Sequence, residues 1–176
     1  MANTYELISS VTLTSTTGFS SVSFTSIPQT YKDLVVWVSS RSDRGSADGL
    51  ERVYLYLNGS SSGITMINSI VNSTTYYSDS YTTGNGVGGT CGLGSGTNAP
   101  ANQFGFTKLY ISDYTTTNAK IGINVSTLPI GGGSTLNYNY SQSYSHTTST
   151  GITSITTSGL GTNWLSGSTW YLYGIK

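Results

Sequence analysis

The residues able to do chemistry are few. The 176-residue chain holds one histidine, His146, and one cysteine, Cys91. A metal site or a nucleophile–base pair needs partners at a spacing that a fold can gather. Ser145, beside His146, points to the opposite face of a strand, so His146 reads as a surface polar residue near a turn. No cation stands near Cys91 to depress its thiol pKa, and no base is implied, so it reads as an inert or buried thiol. Gly84-Asn85-Gly86-Val87-Gly88-Gly89 spells a GxGxxG pattern. That pattern binds a dinucleotide only between a strand and a helix N-terminus. The following Thr90-Cys91-Gly92-Leu93-Gly94 cannot begin a stable helix, and no lysine follows for a P-loop, so the pattern reads as a glycine loop and no cofactor is implied.

Carboxylates cluster once. Asp43, Asp48 and Glu51 stand among Arg41, Arg44 and Arg52. Loop carboxylates can ligate calcium, and paired carboxylates can hydrolyse glycosides. The interleaved arginines compete with a cation and pair with the acids. The loop therefore reads as an ion-pair segment, solvated or between subunits, that can fix the register of a partner. Tyrosine is the other feature with functional content. Tyr54 and Tyr56 share one strand face, as do Tyr138 and Tyr140. A tyrosine buries a large ring and keeps a hydroxyl for hydrogen bonds. Three readings stay open: packing within the domain, a subunit interface, or a glycan platform.

Composition narrows the classes further. Charged residues make up 8% of the chain, seven basic against seven acidic. So few cations cannot neutralise many phosphates or hold an anionic membrane, which argues against nucleic-acid and membrane partners. Aromatic residues at 12% argue against disorder. One cysteine permits no intrachain disulfide and fits assembly in a reducing cytosol. No apolar run approaches the ~20 residues that cross a bilayer as a helix. The N-terminus shows no secretory pattern. A protein made soluble inside a cell is expected.

The elements that position these residues are strands. Period-two alternation recurs along the chain while helical periodicity is nearly absent. It predicts strands at Tyr5–Leu13 (with Ile8 out of phase), Phe19–Phe24, Leu34–Val38, Arg52–Leu57, Ile64–Val71 and Thr74–Tyr81. It predicts more at Phe104–Asp113, Ala119–Leu128, Thr135–Tyr144, Ile152–Thr157 and Ser168–Gly174. Leu34–Val38 reads as a central strand buried on both faces. Asn58-Gly59 is the strongest short hairpin-turn signal. Thr82–Gln103, glycine-rich and poor in large side chains, is expected to be a long loop or arm that orders on a neighbour. About ten or eleven short strands without helices predict a single antiparallel sandwich or barrel. Few lysines or prolines blunt its edges, so a terminal strand is expected to pair across subunits or lie under the glycine-rich arm.

Several stretches resemble, in order, a family of small virion proteins of marine and freshwater tailed phages, cyanophages included. They are Tyr5-Glu6-Leu7-Ile8-Ser9-Ser10-Val11-Thr12, Val22 to Leu34, Ala101-Asn102-Gln103-Phe104-Gly105, Ile111-Ser112-Asp113-Tyr114, Ile152 to Thr156 and Trp170 to Ile175. The resemblance implies a jelly-roll-like β-sandwich on the particle surface and no catalytic residues. The expected function is capsid decoration: a cement protein on the outer capsid, in contact with the major capsid protein, itself a homo-oligomer with a trimer as the natural guess. The alternative is a tail-fibre or receptor-binding domain, joined to tail proteins, whose tyrosines meet a host glycan. An enzyme is not expected.

Overall fold

The computed structural model describes residues 4–15, 19–45, 49–72, 75–82, 89–129 and 137–176. Twelve strands run through them, and no helix occurs among the described residues. They are β1 (Tyr5–Thr12), β2 (Ser21–Phe24), β3 (Asp33–Ser40), β4 (Leu50–Leu57), β5 (Ile64–Asn72) and β6 (Thr75–Thr82). The rest are β7 (Gly89–Ser95), β8 (Gly105–Ile111), β9 (Lys120–Pro129), β10 (Asn137–His146), β11 (Ile155–Ser158) and β12 (Thr169–Ile175).

All pairings between them are antiparallel and form two sheets. One has the order β1-β12-β3-β8-β9-β10-β5-β6, the other β2-β11-β4-β7. Setting aside β5–β6 and β9–β10, the remaining eight strands run 1-8-3-6 in one sheet and 2-7-4-5 in the other. That is the order of a jelly roll, two interlocked Greek keys. The two hairpins are insertions that pair with each other and extend one jelly-roll sheet from four strands to eight. The sandwich is an all-β antiparallel fold, as expected.

The main core lies between the sheets. Leu34, Val36 and Val38 of β3 meet Val53, Leu55 and Leu57 of β4, with Trp164 and Trp170 packed edge to face at 5.7 Å between centroids. The alternate side of β3 is not closed: Val35 is buried but Trp37 is exposed, so this strand is not covered on both faces. Ile8 sits in a register shift of β1 between Leu7 and Ser9. The bulge reverses the alternation, putting Ile8 against the core and leaving Leu7 exposed.

Two further expectations are overturned. Part of the glycine-rich segment is a strand: β7 is buried along its whole length and pairs with β4. Its glycines are a packing requirement. A Cβ on Gly92 would fall 2.2 Å from Thr107 Oγ1 and 2.7 Å from Ser126 Oγ, so only glycine lets β7 approach β8 and β9 this closely. Residues 83–88 lie outside the described residues. Beyond β7, the Arg41 guanidinium donates to the carbonyls of Thr97, Ala99, Pro100 and Gln103 and fixes that loop inside the domain. Among its described residues the segment pairs with neither terminal strand; β1 forms one edge of the large sheet. His146, in turn, is buried on β10 rather than at the surface, beside the backbone of Ser62, and burial pushes its imidazole below its ordinary value.

Candidate functional site

The inserted strands are partly inverted. On β9, β10 and β5 the phase facing the sandwich interior sets buried polar side chains, Lys120, Asn124, Ser126, Gln142, His146 and Asn68, among the apolar Ile64, Met66, Leu128, Tyr140 and Tyr144. The aliphatic residues of the opposite phase point outward, with Ile67 62%, Ile121 61% and Ile123 57% exposed. Burying a polar group costs free energy unless it is bonded, and most of these form a seam, although Asn124 Oδ1 and the two His146 ring nitrogens have no hydrogen-bond partner among the described residues. Asn68 Oδ1 accepts from Tyr140 Oη at 2.8 Å and from Gln142 Nε2, while its own amide donates to Asp79. Asn124 donates to Gln142 Oε1. Thr107 and Ser126 share a hydroxyl bond of 2.7 Å under Leu93 N. The Lys120 ammonium donates to the carbonyls of Thr116 and Asn118.

The outward phase builds one surface across the eight-stranded sheet. Its aromatic half joins Tyr5, Tyr173, Trp37 and Tyr171, with neighbouring centroids 5.0 to 6.3 Å apart. Its aliphatic half has two ridges, Ile121-Ile123-Val125 of β9 and Ile67-Val71 of β5. Between them runs a trough along β10, whose outward side chains are Ser141, Ser143 and Ser145. The trough encloses ≈ 470 Å³ over Gly122 and the Tyr144 ring, and Tyr110 closes one side. Burial holds the Tyr144 hydroxyl well above its ordinary value. The Tyr110 hydroxyl donates to Asp33 at 2.6 Å, and that carboxylate pushes it up to about 12. Lys108 and the buried Asp33 are the charged side chains of this face among the described residues.

The residues singled out from the sequence fall elsewhere. Tyr54 and Tyr56 share a face of β4, where Tyr54 is buried and Tyr56 half-buried. Tyr140 is buried and Tyr138 half-buried, in a second apolar cluster with Leu93 and Leu128. Both line a cleft of ≈ 220 Å³ between the inserted strands and β4–β7, whose polar groups are Arg52, Asn68, Asp79 and Thr90. The charged loop is an internal pin. Glu51 is fully buried and accepts from Arg44 Nη1 at 3.4 Å, Arg52 N at 2.7 Å, Leu160 N at 3.3 Å and Thr162 Oγ1 at 2.5 Å. Asp43 accepts from the backbone and side-chain nitrogens of Asn163 at 2.8 and 2.9 Å. Asp48 lies outside the described residues.

Sequence reasoning missed the open face. It placed Ile121, Ile123 and Val125 in one phase of a strand, but alternation does not say which phase points inward. Among the described residues no group of three or more His, Cys, Asp or Glu is placed to hold a metal. Cys91 is buried, and burial pushes its thiol up to about 12. The open apolar face is a surface that can bind a partner. Comparison with family models, with curated proteins and with solved structures returns no match.

Proposed function

We propose that this chain is a structural protein of a tailed-phage particle, a decoration protein held on the outer capsid by contacts with the major capsid protein. The observation that carries a structural, assembling role is the outward apolar phase of the large sheet. A contiguous apolar surface of this size on one domain marks an interaction site, and most of the buried polar groups of the same strands are bonded inside. Fold alone does not fix function. The resemblance of the ordered motifs and the charge-poor surface, which suits dense packing on a lattice, both support the placement on a virion. Many such contacts on a repeating shell add through avidity. Gold-labelled antibody raised against the protein and imaged on purified particles tests this reading. Label spread over the head is expected, and no label on any particle overturns it.

A second reading, receptor binding, rests on the cleft beside Tyr138 and Tyr140. Arg52 and Asp79 balance in charge, Asn68 orients the Asp79 carboxylate, and the Tyr138 ring offers an apolar platform. A small neutral ligand rich in hydroxyls, such as a sugar, fits that mix. Gold label confined to the tail, together with saccharide binding lost in Asp79→Ala, is the outcome that favours it.

A further inference from the structure

The open face carries its own complement. Ile67, Val71, Phe106, Ile121, Ile123 and Val125 expose roughly 500–600 Å² between them, the upper end of what a lone monomer shows. With Trp37 and Tyr76 at the margins the face reaches roughly 800 Å², one partner's share of an ordinary specific interface. The β9 ridge and the β10 trough lie side by side and match in length, with Ile121, Ile123 and Val125 level with Ser145, Ser143 and Ser141.

We infer that a second copy of this chain covers the face, through a two-fold axis that runs along the strands midway between β9 and β10. Rotation about that axis keeps each residue's level and exchanges the two strands. The ridge of each copy then enters the trough of the other, the reciprocal contact of an isologous dimer. Ile123 comes over Ser143 of the second copy. The outer strands follow: β5 comes over β8, so Ile67 meets Tyr110 and Val71 meets Phe106 of the other copy. Lys108 comes over Ser69, so the accessible cation of the face among the described residues does not meet itself. A partner selected by charge would find almost nothing to read here, whereas a second copy meets a shape it already matches. The two sheets would stack about 10 Å apart at the aligned angle of a sandwich. This inference rests on the structural reading above and names the partner of its open face.

Sedimentation velocity on the full chain, with two variants, tests it. The wild-type protein should run at twice 18.6 kDa. Ile123→Asp, which buries a carboxylate at the centre of the pair in both copies, should weaken dimerisation at least about 100-fold with an unchanged circular dichroism spectrum. Should that variant misfold, Ser143→Arg, which fills the trough with an exposed side chain, gives the same readout. A wild-type monomer at high concentration, or a dimer indifferent to both substitutions, overturns the inference. A monomer in solution that loses particle binding on Ile123→Asp would transfer the face to another partner, overturning the dimer and leaving the structural role standing.

Discussion

The inversion of the inserted strands makes adjacent residues of β5 differ in a direction opposite to their chemistry. Ile67 is mostly exposed, and Asn68 is 2% exposed. Full truncation of a buried isoleucine costs about 2–5 kcal/mol. With most of its surface already in solvent, Ile67→Ala should cost at most about 1 kcal/mol in dilute protein, where any paired state is dissociated. Asn68→Ala removes the acceptor of Tyr140 Oη and the main acceptor of Gln142 Nε2, and removes the donor that orients Asp79. Each buried polar group left unmatched costs about 1–3 kcal/mol, and Gln142 keeps a contact to Tyr140 Oη, so the loss should total about 2–4 kcal/mol. In a domain of this size about 1 kcal/mol moves Tm by 2–4 °C. Thermal unfolding of both variants at low concentration should therefore lower Tm by no more than about 4 °C for Ile67→Ala and by about 5–15 °C for Asn68→Ala. A larger loss for Ile67→Ala would mean that β5 sits one residue out of register and that Ile67 faces the core.

Three further outcomes follow from the packing. Glu51→Ala removes a buried carboxylate that ties the loop after β3 to the segment before β12, and urea denaturation should show a loss of about 3–5 kcal/mol. Gly92→Ala drives a methyl group into Thr107 and Ser126 and should cost about 1–3 kcal/mol, with faster amide exchange in β7 as the local signature. His146 has its folded-state pKa lowered below 6.5 by burial, so below that pH the unfolded chain takes up the proton first. Stability should fall as pH drops from 6.5 toward the folded-state value, and His146→Gln should flatten that window in Tm against pH. The exposed Glu6, lowered chiefly by its hydrogen bond to Lys176, acts in a separate window below 4.5.

Eleven of the twelve strands were legible because alternation marks a pleated segment whichever way it faces. Ile8 is instructive: its mismatch with Leu7 and Val11 was visible as a broken phase and is a bulge in the sheet. β7 was not legible. Glycine weakens strand propensity, and the reason for it here, close approach to Thr107 and Ser126, exists only in three dimensions. The same closeness explains the inversion. With a glycine strand pressed against them, the inward positions of β8 and β9 opposite Gly92 have room for Thr107 and Ser126 and none for isoleucine. Asn58-Gly59 was read correctly as a turn, with both residues at positive φ, but it reverses the chain locally from Leu57 to Ser60. β4 pairs with β7 and β11 rather than with the next strand, because β5 belongs to an inserted hairpin that extends the other sheet. The Arg41–Glu51 cluster was legible as an ion-pair segment, but its internal bonding was not, because sequence shows its charges and not its acceptors. Thr97 to Gln103 and Leu160 to Asn163 reach it only through the fold.

The central claim, that the open sheet face is covered in the working assembly, is tested most directly by thiol labelling of Ile121→Cys on intact particles. The native Cys91 is buried and its thiol is held near 12, so the background is silent. The account predicts that the new thiol reacts with maleimide at least about tenfold more slowly on the particle than in dilute, dissociated protein. Equal rates in the two states would mean that the face stays open to water, and the account would be contradicted.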